Sequence, residues 1–168
     1  MGRDKALIEV QGQPLVLRVA GALVRAGATR VIVIGGDRPA IEAVGLTAVA
    51  DRFPGEGPLG GVLTALSGTD AAIVAVLGTD LVAPDPSAIT TVLDALAGHD
   101  VAVPVSGGRR HFHHAIWQRS AQATLEAAFA AGERAIKRAV RDLDVFEVVG
   151  IAPETLADAD TPDELPRP

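Results

Sequence analysis

Three acids in this chain follow short aliphatic runs, and a lysine precedes another. Asp37 comes shortly after residues 31–34, Asp51 after residues 46–50, and Asp80 after residues 73–77. In a wound α/β sheet, ligands bind at the carboxyl ends of the strands. A carboxylate placed there can hold magnesium, which prefers hard oxygen ligands and keeps several of its waters and phosphate oxygens. Asp80 is the sharpest case, since Ala72-Ile-Val-Ala-Val-Leu-Gly-Thr-Asp80 runs from unbroken aliphatics to an acid. The same residue also suits a helix cap or a solvated loop. Lys5 stands just ahead of a strand-like run and a Gly-x-Pro-Leu turn. A cation held there is a countercharge for nucleotide phosphates; by itself a lone lysine is normally a solvated surface charge, and only its setting raises it above that.

A further segment, Asp51-Arg-Phe-Pro-Gly-Glu-Gly-Pro-Leu-Gly-Gly61, leads into a helix. Its glycines permit close backbone approach, and the first turn of the helix offers unpaired N–H groups to an anion; the plain alternative is a Pro/Gly loop. His111-Phe-His-His114 resembles a metal cluster, yet a strand would send His111 and His113 to one face and His114 to the other. A polar edge strand is the expectation there. Gly107-Gly-Arg-Arg110 reads as a basic turn that faces either water or a substrate phosphate. Gly35-Gly36 lacks the spacing of a dinucleotide fingerprint, and no P-loop occurs.

The elements that must position these residues alternate. Helices are expected over 14–26, 58–67, 86–97, 122–129 and 133–140, with Gly27 closing the first. Strands are expected over 30–36, 46–51, 72–80, 101–105, 114–117 and 145–149, and Thr161-Pro-Asp-Glu-Leu165 reads as a capped helix start. Such alternation indicates a wound α/β sheet in one domain spanning 1–168. The 168 residues suffice for a real core. Hydrophobic residues make up 48 % but aromatics only 3 %, so that core is aliphatic. A net charge of −6 argues against nucleic acid as the main partner. Without cysteine there are neither disulfides nor thiolate metal sites. No run approaches the roughly 18 apolar residues of a membrane span, so a cytoplasmic protein with no membrane partner is expected.

Taken together, these segments resemble the molybdenum cofactor guanylyltransferases over nearly the whole chain. That family opens with a strand and Leu-Ala-Gly-Gly-x-Ser-x-Arg-Met-Gly-x-Asp-Lys, the end of which matches Met1-Gly-Arg-Asp-Lys5. Asp51 with Gly57-Pro-Leu-Gly-Gly61 matches a second motif, Gly78-Thr-Asp80 a third, and Asp158-Ala-Asp-Thr-Pro-Asp-Glu-Leu165 the last. Ala131-Gly-Glu-Arg134 also resembles the family. The resemblance implies a three-layer αβα, mostly parallel sheet of the nucleotide-diphospho-sugar transferase type. It implies transfer of GMP from GTP to molybdopterin or its molybdenum form, with release of pyrophosphate and Mg2+ as cofactor. Lys5 would contact the nucleotide phosphates, Asp51 would belong to the nucleotide pocket, and Asp80 would bind nucleotide and magnesium. Asp160 is a further candidate, for the second substrate or the metal. Molybdoenzymes or other cofactor-biosynthesis proteins are the implied macromolecular partners.

The family's first strand and glycine-rich loop are missing from this chain. That strand would be central, beside 31–34 and 73–77, and the expectation is a longer working gene product. Ile34-Gly-Gly36, Asp158 and Asp160 stand where the guanylyltransferases tend to carry Asn. Asp in the last motif also occurs in related cytidylyltransferases, whereas Gly57-Pro-Leu-Gly-Gly61 favours the guanylyl side. Cytidylyl transfer, nucleotide transfer to a sugar phosphate, and a non-catalytic nucleotide-binding accessory protein are the alternatives.

Overall fold

Aliphatic runs punctuated by glycine and proline set the order of elements in the computed structural model, which describes residues 5–159. A 3₁₀ turn, Lys5–Leu7, leads into β1 (Glu9–Val10), β2 (Gln13–Pro14) and α1 (Leu15–Arg25). Then come β3 (Val33–Ile34), α2 (Arg38–Ala43), β4 (Ala48–Val49), α3 (Pro58–Ser67), β5 (Ile73–Leu77) and α4 (Pro86–Asp94). The remainder is β6 (Val101–Ser106), β7 (Arg109–Arg110), β8 (His114–Gln118), α5 (Gln122–Ala130), α6 (Ile136–Ala139) and β9 (Val145–Val148), followed by a 3₁₀ turn at Pro153–Leu156. No helix among the described residues is long and apolar enough to cross a membrane. The expected terminal helix start at 161–165, and Asp160, lie outside the described residues.

The chain divides into two compact units. The described residues of the first are 5–50, 77–90 and 151–159; those of the second are 51–76 and 91–150.

In the first unit, β1 and β2 form a hairpin closed by Gln11 and Gly12 at φ 54° and 75°. Two successive positive φ values are the signature of a type I′ turn. Helix α1 buries Leu15, Val16, Val19, Ala20 and Ala22 on one face. It ends where Gly27, at φ 98°, donates to Val24 O (3.0 Å) and Ala28 donates to Leu23 O (3.0 Å). Those paired bonds satisfy carbonyls that the last helical turn leaves open. β3 and β4 pair in parallel, Val33 opposite Ala48 and Ile34 opposite Val49. Both are shorter than their aliphatic runs suggest, because each has only this one strand partner among the described residues. Ala6, Val16, Val33, Ile41 and Ala48 form the core here.

The second unit carries a mixed sheet in which β8 lies between β5 and β6, and β6 also pairs with β7 and β9. β6 runs antiparallel to β8 and parallel to β9. Leu59, Val62, Leu63 and Leu66 of α3 and Leu125 of α5 pack with Trp117, Val101 and Val103 of the sheet. Each fully buried Leu or Val of this kind contributes roughly 2 kcal/mol. One sequence expectation is corrected here. The His114 strand is not a polar edge: β8 is flanked by strands and buried from His114 to Trp117, while the His111 and His114 rings stack at 6.0 Å. β5, in contrast, is not fully buried. It ends the order of strands among the described residues, and Ile73 is 45 % exposed.

Candidate active site

Asp80 follows β5 in the turn Gly78-Thr79-Asp80, and its backbone is pinned. Ala159 N donates to Asp80 O (2.9 Å), Val82 N donates to Ala157 O (3.1 Å), and Leu81, 1 % exposed, forms an antiparallel bridge with Asp158. The half-buried Asp80 carboxylate has no hydrogen bond or ion pair with any other described residue. A carboxylate held on fixed backbone without an internal partner is available to an external cation. No group of three or more His, Asp or Glu is gathered for a metal among the described residues. One carboxylate completed by substrate oxygens is the donor set that magnesium commonly takes.

Lys5 is exposed and lies in the same unit. Its carbonyl accepts from Ile8 N (3.1 Å), and Ile8 O accepts from Leu15 N (2.9 Å), which ties the opening turn to the hairpin and α1. Val10, Leu15 and Ala159 form a buried cluster with Ile8 and Val82 against it. Ile8 is three residues from Lys5 and Val82 two from Asp80, so one apolar cluster anchors the segments that carry both.

The other strand-end acids are engaged within the protein. Asp37 caps α2, accepting from Ala40 N (3.2 Å). Asp51, in the second unit, accepts at Oδ1 from Phe53 N (3.0 Å) and from the Thr64 hydroxyl (2.8 Å), while Arg52 N donates to Thr64 Oγ1 (3.2 Å). Asp51 therefore shapes the loop it begins. In that loop Phe53-Pro54-Gly55-Glu56 makes a turn, with Glu56 N donating to Phe53 O (3.1 Å) and Gly55 at φ 80°. Pro followed by a positive-φ Gly is a type II turn. Pro58 then opens α3, whose N-cap is Gly57, with no side chain to cap the first N–H groups. Gly60 is required by space: a Cβ there would lie 2.9 Å from Phe53 Cβ and 3.2 Å from Phe53 O.

Thr64, the ion pair that reaches this loop and the one beside it in the turn between α5 and α6 were not legible in the sequence. Arg134 Nε donates to Glu56 Oε2, 78 residues away. Arg138 Nε donates to Glu133 Oε2 (2.5 Å) and Nη2 to Oε1 (2.7 Å). With further bonds from the backbone N–H groups of Ala135 and Arg134, Arg138 holds the Glu133 carboxyl down at about 2. Asp85, at the start of α4, is lowered by the Ser87 hydroxyl and backbone N–H.

A family model described as "MobA-like NTP transferase domain" matches residues 1–146. The chain belongs to that family. As a MobA-like NTP transferase it is a nucleotidyltransferase. It is 31 % identical over 175 residues to the molybdenum cofactor guanylyltransferase of Rhodobacter capsulatus, covering 99 % of this chain and 87 % of that relative. Molybdopterin-guanine dinucleotide biosynthesis protein A from Archaeoglobus fulgidus shares the fold at a TM-score of 0.75 and 20 % identity, covering 96 % of this chain and 86 % of that one. 2-C-methyl-D-erythritol 4-phosphate cytidylyltransferase from Thermus thermophilus does so at 0.74 and 19 %, covering 96 % and 90 %. The wound α/β class expected from the alternating elements, in its nucleotidyltransferase form, is thus the fold of the MobA-like domain.

Proposed function

We propose that this nucleotidyltransferase moves GMP from GTP to molybdopterin, or to its molybdenum form, and releases pyrophosphate. The carrying observation is the half-buried Asp80 carboxylate, left unengaged by the described residues at the end of β5. The Rhodobacter relative's name supports guanylyl transfer. A phosphate oxygen of the acceptor attacks the α-phosphorus of GTP in line, a new P–O bond forms, and the bond to the β-phosphate oxygen breaks. The protein's part is positioning and charge neutralisation. Asp80 is the metal-holding and nucleotide-binding carboxylate, and Lys5 sets its ammonium against the triphosphate. Asp51 holds the nucleotide loop through Phe53 and Thr64, and Asp160 is the remaining candidate for the acceptor or the metal. Bound Mg2+ would supply charge neutralisation at the phosphates. A cytoplasmic setting, with cofactor-biosynthesis proteins or molybdoenzymes as recipients, belongs to the same reading.

The test is pyrophosphate release from each of the four NTPs, using the natural gene product and a molybdopterin source. Release with GTP is expected. Release with CTP alone would replace guanylyl by cytidylyl transfer, and GTP binding without turnover would make the protein a binding accessory. Asp80→Asn should abolish transfer and leave the circular dichroism spectrum unchanged; normal turnover in that variant would remove Asp80 from the site.

A further inference from the structure

The loop from Asp51 to Gly57 is tied to the turn between α5 and α6 by one side chain. Besides its bond to Glu56, Arg134 donates from Nη1 to Phe129 O (2.9 Å) and to Glu133 O (2.9 Å). Its guanidinium lies 3.9 Å above the Phe129 ring, and that ring meets Phe53 at 4.6 Å. Phe53 is also the residue pressed against Gly60. A continuous set of contacts therefore runs from Arg134, through Phe129 and Phe53, to the first turn of α3, while the ion pair with Arg134 holds Glu56, the residue before Gly57. Both side chains of the ion pair remain substantially exposed, Arg134 at 41 % and Glu56 at 47 %. Exposed pairs add little to stability, so stability alone is a weak reason for this arrangement.

We propose that Arg134 is a positioning residue for nucleotide binding, holding Glu56 and Phe53 so that the Gly57–Gly61 backbone is preorganised to meet the nucleotide. The proposal rests on the nucleotide-binding reading of that loop. Its distinguishing consequence is a matter of sign. Glu56 places a negative charge beside a segment that receives a polyanion. Through charge alone, removing it would tighten GTP binding; through positioning, removing it weakens binding, because the loop loses its hold.

The experiment measures GTP affinity by calorimetry, and KM and kcat by pyrophosphate release, for wild type, Glu56→Ala, Arg134→Gln, Arg134→Lys and the Glu56→Ala/Arg134→Gln double variant. Each of Glu56→Ala and Arg134→Gln should weaken GTP binding about fivefold, the scale of losing one preordered contact. A rise in KM at constant kcat is expected, as for an interaction equally present in ground and transition states. The double variant should be no worse than Arg134→Gln, and Arg134→Lys should recover only part of the loss, since an ammonium lacks the guanidinium fork. Melting temperatures should stay close to wild type. Tighter GTP binding in Glu56→Ala, unchanged affinity in both single variants, or additive losses in the double variant would overturn the proposal. A wild-type protein that binds no GTP would instead remove the functional reading beneath it, an outcome separate from the other three.

Discussion

Individual carboxylates in this protein are sorted by what the neighbouring chain offers them. Asp37 meets the open N–H of Ala40 and becomes a cap, whereas Asp51 meets Phe53 N and the Thr64 hydroxyl and becomes a loop former. Asp80 meets no such donor among the described residues, and that difference is why the proposed function assigns it the metal. Thr64 joins two groups, supplying a hydroxyl to Asp51 and an acceptor to Arg52 N. Thr64→Val preserves shape but leaves that N–H without its acceptor in a partly buried setting, so a stability loss of about 1–2 kcal/mol is expected. Urea denaturation measures it, and Thr64→Ser should restore most of the loss. A Thr64→Val protein as stable as wild type would show that solvent replaces both bonds.

At the scale of the element, α3 shows why two adjacent glycines are not equivalent. Gly60 faces Phe53 at contact distance, while a Cβ on Gly61 would meet nothing within 4 Å. Gly61→Ala should therefore stabilise the helix by about 0.5–1 kcal/mol, through the entropy that alanine removes from the unfolded chain. Gly60→Ala should destabilise by about 1–3 kcal/mol, because Phe53 and its carbonyl must shift. Thermal melts of the two variants should move in opposite directions. The run Gly57-Pro-Leu-Gly-Gly61 shows a helix start in the sequence. Which of its glycines is sterically obligatory depends on Phe53, which packs back onto the helix.

For the whole molecule, charge pairing makes stability depend on acid. The Glu133 carboxyl titrates at about 2 in the folded protein against an ordinary 4.5, chiefly through the Arg138 hydrogen bond. Asp85 is likewise lowered from 3.8, by Ser87. Above these ordinary values both groups are ionised, folded or unfolded, and their stabilisation is fully present. As pH falls from about 4.5 towards 2, the unfolded chain takes up protons that the folded one refuses, and the contribution is lost. Denaturation midpoints across that window should fall less steeply for Glu133→Gln than for wild type. Parallel slopes would contradict the assigned role of Arg138.

The sequence by itself determined the wound α/β class, the order of the longer helices and strands though not α2, β2 or β7, the aliphatic character of the core and the family motifs around Lys5, Asp51 and Asp80. These are legible because periodicity, Gly/Pro punctuation and motif order are properties of neighbours along the chain. Tertiary structure decided the rest. That the His114 strand is buried, that β5 is half-exposed, that Asp51 is bound by Thr64 and that Arg134 grips Glu56 all depend on segments far apart in sequence. Burial and hydrogen bonding are satisfied by whatever group arrives in space, and the identity of that group is fixed only when the chain closes on itself.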